Sequence, residues 1–67
     1  MITITINGER REFARPLAFT DLVEELGLAG KRIAVERNGE IVPRSQFARA
    51  AVADGDALEI VVAVGGG

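Results

Sequence analysis

Ile2-Thr3-Ile4-Thr5-Ile6 alternates apolar and polar residues without a break, and Asn7-Gly8 follows at once. The alternation places Ile2, Ile4 and Ile6 on one face of an extended chain and Thr3 and Thr5 on the other, the period of a half-buried strand. Asn and Gly both accept the positive φ of a tight hairpin turn, so residues 9 to 14 (Glu-Arg-Arg-Glu-Phe-Ala) are expected to return as a second strand with Phe13 turned inward. Its polar character suits a sheet edge.

Pro16 ends the hairpin, and Thr20-Asp21 predicts a helix start, the Thr20 hydroxyl capping free N–H groups and Asp21 complementing the dipole. Leu22, Val23 and Leu26 form one apolar stripe, Glu24 and Glu25 face water, and Gly27 offers the left-handed residue that stops the helix. At about two turns, such a helix is too short to persist alone and must lie on the sheet. Ile33-Ala34-Val35 reads as a third strand, Asn38-Gly39 as a second turn, and Ile41-Val42 as a short fourth strand closed by Pro43. Residues 44 to 53 are ambiguous, with Ser45 a candidate cap for a helical turn holding Phe47; Asp54-Gly55-Asp56 is another turn. Leu58, Ile60, Val62 and Val64 then share one face of a last strand. The order is that of an α+β domain, a mixed sheet of about five strands with one main helix packed on it. The expected division is a single domain over 1–64 and a flexible glycine tail over 65–67, with no linker, repeat or second domain.

Composition removes whole classes of function. The 67 residues include no Cys and no His, which excludes thiolate nucleophiles, Cys/His zinc sites and imidazole acid/base chemistry. A net charge of −2, with three Phe and no Trp or Tyr, gives neither the basic footprint nor the stacking platform of a nucleic-acid binder, and nothing to hold an anionic membrane. The basic pairs Arg10-Arg11 and Lys31-Arg32 read as solvated positions. No basic segment leads into an apolar leader and no apolar run approaches a membrane span, so the expected location is cytoplasmic.

Gly65-Gly66-Gly67 is the one feature that such a fold does not need. At average glycine usage, three in a row at a stated position arise by chance roughly 3 times in 10,000. Glycine has no side chain to bind or react, so the usable groups are the main chain and the terminal carboxylate, and the bare backbone fits a narrow channel. Three residues reach about 10 Å from the body of the domain. The tail could thus enter another protein's active site while the domain docks outside. A carboxylate reacts only once its oxygen is made a leaving group, as ATP does by forming an acyl-adenylate. This chain has no phosphate-cradling Gly-Lys-Ser/Thr loop and no carboxylates paired by spacing, so it is expected to be a substrate or carrier and not an enzyme. Without Cys it has no side-chain thiolate to hold a transferred group.

The ordered set of Ile4 to Glu9, Thr20 to Leu28, Ile33 to Ser45, Asp54-Gly55-Asp56, Leu58 to Val61 and the closing glycines resembles the ThiS family, sulfur carriers of thiamine biosynthesis. The resemblance implies a ubiquitin-like β-grasp fold with the first and last strands parallel at the sheet centre. It further implies that Gly67 is adenylated by an E1-like, ThiF-type enzyme that consumes ATP, then converted to a thiocarboxylate with sulfur from a donor protein. A ThiG-type thiazole synthase then takes that sulfur. No cofactor would be bound. Gly65 and Gly66 would thread the partner's channel; family members commonly carry a variable residue where Gly65 stands. If Leu58, Ile60 and Val62 face the helix, Val61 and Ala63 point outward beside the tail, so that Val61, Ala63 and Val64 are the candidate docking residues.

Other readings stay open. The small subunit of molybdopterin synthase shares the implied fold and a Gly-Gly end, although the segment Ala34 to Pro43 favours the thiamine member. A ubiquitin-like modifier would end in an isopeptide bond at Gly67. A plain binding module would dock through its sheet and leave the tail inert.

Overall fold

The computed structural model describes residues 1–63. The alternating segment forms β1 (Ile2–Ile6), and Asn7-Gly8 reverses the chain into β2 (Glu9–Phe13). Asn7 and Gly8 have φ of 52° and 84°, the two left-handed residues that the commonest hairpin turn demands. Asn38 and Gly39, at 50° and 88°, make the same turn between β3 (Ile33–Arg37) and β4 (Glu40–Ile41). With β5 (Ala57–Val62) the sheet order is β2-β1-β5-β3-β4. β1 and β5 run parallel at its centre and the other neighbours antiparallel, which is the mixed β-grasp arrangement.

One helix, α1 (Phe19–Glu25), covers the sheet, and its start differs from expectation. It begins at Phe19 with Ala18 at the N-cap and no side-chain cap, so Thr20 lies exposed inside the first turn. The reason is tertiary. The Phe19 N–H donates to the Ala50 carbonyl at 3.1 Å and the Thr20 N–H to the Phe47 carbonyl at 3.2 Å, so main-chain acceptors satisfy the orphan donors that a hydroxyl would otherwise serve. The end is as expected: Gly27 has φ 73°, its N–H reaches the Glu24 carbonyl at 3.0 Å, and the Leu28 N–H reaches that of Val23 at 2.9 Å, a Schellman closure.

The ambiguous stretch contains a single 3-10 turn (Arg44–Gln46) with Pro43, not Ser45, at its N-cap. Pro43 enters extended, at φ −64° and ψ 143°, and its carbonyl accepts the Gln46 N–H at 2.9 Å, so the Ser45 hydroxyl is not needed as a cap. β4 sits one residue earlier than expected, while Val42 is buried and its N–H still donates to the Val35 carbonyl at 2.8 Å. Ile2, Ile4, Ile6, Val35, Leu58 and Ile60 line the helix-facing side of the sheet and meet Phe19, Leu22, Val23, Phe47 and Val52 in one core. Phe13 packs half-buried at its margin. Among the described residues no helix is long and apolar enough to cross a membrane.

Candidate functional site

The candidate site is the outgoing end of β5, and the sequence places it by three sets of contacts. At the incoming end, the Asp56 carboxylate is buried and receives the Ala53 N–H at 2.8 Å, Arg37 Nε at 3.0 Å and Asn38 Nδ2 at 3.3 Å. Burial works to raise its pKa, but the Ala53 N–H, the Arg37 guanidinium and the Asn38 amide stabilise the anion more, and the group titrates below the ordinary aspartate range. Arg37 in turn lies over the Phe19 ring, 5.4 Å from its centroid, which ties this ion pair to the helix. Further along, Asn7 holds Ile60 through its side chain, accepting the Ile60 N–H at 2.8 Å and donating to its carbonyl at 3.0 Å. Beyond that, antiparallel pairing with β3 sets Val61 across from Ala34 and Val62 across from Ile33, and the Ala63 N–H donates to the Arg32 carbonyl at 2.9 Å.

The register divides the last strand as expected. Leu58 and Ile60 are buried against the helix, and Val62 shares their face with 40% exposure. Val61 turns to the open face, 65% exposed, with Ala34 exposed directly across from it and Ala63 exposed beyond. Ile41, 63% exposed, stands across from Glu36 on the same face. Val61, Ala34 and Ile41 therefore make a small apolar strip on the helix-free side of the sheet, bordered by Glu36 and Glu59, which pair with each other across the β3–β5 ladder. Sequence reading singled out Val61 and Ala63 and missed Ala34 and Ile41. The signal for Ala34 was available in the alternation of Ile33-Ala34-Val35; Ile41 needed the β4 register, which sequence had one residue late.

Val64, also a candidate docking residue, and Gly65, Gly66 and Gly67 lie outside the described residues. So does the proposed boundary between domain and tail. What the described residues establish is the platform from which they continue: a strand fixed at its start by Asp56, at its middle by Asn7 and at Ala63 by Arg32. Among the described residues no three His, Cys, Asp or Glu side chains come together as a metal site would need.

Comparison with known proteins places this geometry. The model of the ThiS family matches residues 4–67. A crystal structure of the thiamine biosynthesis protein (ThiS) from Geobacter metallireducens superposes with a TM-score of 0.84 at 36% identity, covering 98% of this chain and 100% of that one. A thiazole synthase of Paramagnetospirillum magneticum is 52% identical over 96% of this chain, which spans only 20% of the length of that relative. An uncharacterised protein of Porphyra purpurea, ycf40, is 38% identical over 98% of this chain and 93% of its own length. Family match, fold and near-complete coverage agree, and the chain belongs to the ThiS family.

Proposed function

We propose that this chain carries sulfur for thiazole formation in thiamine biosynthesis, with the carboxylate of Gly67 as the attachment point. A carboxylate oxygen of Gly67 attacks the α-phosphorus of ATP on a ThiF-type enzyme, pyrophosphate leaves, and an acyl-adenylate forms. Sulfide-level sulfur, freed from a donor protein by a thiol reductant that is oxidised to a disulfide, then attacks the acyl carbon; the C–O bond to the adenylate breaks, AMP leaves, and Gly67 is left as a thiocarboxylate. A ThiG-type thiazole synthase takes the sulfur from it. The observation that carries this reading is the family match, which runs through Gly67 itself. The relative named thiazole synthase supports the choice of sulfur acceptor.

The chain's share of the chemistry is presentation. It supplies no catalytic group: ATP is consumed on the partner, and this chain binds no cofactor. Gly65 and Gly66 thread the partner's channel, where any Cβ would obstruct. Val61, Ala63 and Val64 dock on the activating enzyme, and Ala34 and Ile41 widen that contact on the open face of the sheet. The pathway is placed in the cytoplasm.

Intact-mass measurement after incubation with ATP, the activating enzyme and a sulfur source tests the reading. The expected product is heavier by the difference between one sulfur and one oxygen, and a chain trimmed of Gly67 gains nothing. A chain that stays at its starting mass under conditions that thiolate another family member contradicts it.

A further inference from the structure

β5 is flanked by strands on both sides over only part of its length. Main-chain groups of successive residues in a strand point to alternate neighbours. Ala57 and Ala63 turn theirs toward β3, where the Asn38 N–H meets the Ala57 carbonyl at 2.8 Å and the Ala63 N–H meets the Arg32 carbonyl at 2.9 Å. Leu58 and Ile60 turn theirs toward β1: the Asn7 N–H donates to the Leu58 carbonyl at 2.9 Å, and the Asn7 amide takes both groups of Ile60. Val62 is next on that side, but β1 has already turned away at Asn7-Gly8. Among the described residues nothing accepts the Val62 N–H or donates to its carbonyl. Beside these two groups lies a groove of about 320 Å³, lined by the apolar Ile6, Leu26, Leu28 and Ile60 together with Asn7, Glu9 and Arg11.

A donor and an acceptor on one residue, presented at a strand edge over an apolar groove, are the complement of one kind of occupant: an extended backbone bearing an apolar side chain. We propose that an extended segment of the ThiG-type thiazole synthase adds as a strand at Val62, bonding its N–H and carbonyl and seating one aliphatic side chain in the groove. This assignment rests on the carrier reading above. Two observations select the thiazole synthase over the activating enzyme. The groove lies on the opposite side of the sheet from Val61 and Ala34, so two enzymes that use the carrier in turn need not share one patch. The relative from Paramagnetospirillum magneticum, itself a thiazole synthase, holds a segment like this chain within its own polypeptide. A strand added at Val62 also runs beside the point where the chain continues past Ala63 toward Gly67, and so would set the direction in which the tail is received.

Val62→Pro tests it. Proline removes the N–H and is tolerated where a strand N–H has no partner, whereas Val61→Pro deletes an N–H that faces β3 and is expected to unfold the domain. Association with the purified thiazole synthase of the same organism is measured by calorimetry, and thiocarboxylate formation by intact mass. The expected result for Val62→Pro is an affinity about tenfold lower, with thiocarboxylate formed as in the wild type. Unchanged affinity overturns the assignment, as does a loss confined to thiocarboxylate formation. If circular dichroism shows Val62→Pro unfolded, a synthetic chain with an ester in place of the Val62 N–H takes its place, with the same two outcomes. Failure of the wild-type chain to gain sulfur would count against the carrier reading instead, and the affinity comparison would still decide the role of Val62.

Discussion

The side-chain amide of Asn7 holds both main-chain groups of Ile60, Nδ2 at 3.0 Å from the carbonyl and Oδ1 at 2.8 Å from the N–H, across 53 positions of sequence. It stands in for the residue that β1 would have contributed had it not turned, and it extends the parallel ladder without lengthening the strand. Its backbone does a second task at the same place, adopting the φ of 52° that the hairpin needs.

These two tasks separate by substitution. Asn7→Gly keeps the turn and loses the amide, at a cost of about 2 kcal/mol for two hydrogen bonds. Asn7→Ala loses the amide and also strains the turn, adding about 1 kcal/mol. Urea unfolding of the two variants is expected to rank them in that order. Equal stability of Asn7→Gly and wild type would show that the amide contacts contribute nothing.

Asp56 gives the domain an acid-sensitive joint. Its pKa is lowered in the fold, so its contribution is fully present above the unfolded value of about 4 and is lost as pH falls through the lower folded value. Asp56→Asn removes the ion pair with Arg37, and is expected to be less stable at pH 7 and to show a shallower loss of stability below pH 4. Parallel stability curves for the two proteins from pH 7 to pH 2 would contradict this.

Phe19 is fully buried, stacked on Phe47 with centroids 6.0 Å apart and covered by Arg37. Phe19→Leu retains an aliphatic core and should cost about 1 to 2 kcal/mol through the lost ring contacts. Phe19→Ala should cost about 3 to 5 kcal/mol, most of the stability that a domain this small can have. Thermal unfolding followed by circular dichroism checks both.

Val61 tests the open face. Because Val61 is 65% exposed, Val61→Asp should leave the melting temperature within a few degrees of wild type. A charge at the β5 end of the apolar strip, with Glu36 and Glu59 already at its border, should slow adenylation by the activating enzyme about tenfold or more. Adenylation at the wild-type rate would remove Val61 from the docking surface.

What could be read in the sequence was local. The alternation of Ile2 to Ile6, the two Asn-Gly turns and the glycine that closes α1 each depend on neighbours a few positions apart, and each is where it was expected. The helix start was misplaced because its acceptors, the carbonyls of Phe47 and Ala50, come from a segment about thirty positions away, and no local pattern distinguishes an N–H they satisfy from one a Thr would cap. The same holds at the site. Val61 and Ala63 followed from the period of the strand, whereas the Asn7–Ile60 clamp and the Arg37–Asp56 pair join residues 53 and 19 positions apart, and Asn7 had already been explained by its turn.

The central claim is that the terminal carboxylate of Gly67, and no side chain, bears the sulfur. A synthetic chain amidated at Gly67 and otherwise unchanged, supplied to a reconstituted thiazole synthesis with ATP, activating enzyme, sulfur donor and thiazole synthase, tests it most directly. The account predicts no thiazole from the amidated chain and full product from the free acid; thiazole formed at equal rates from both would contradict it.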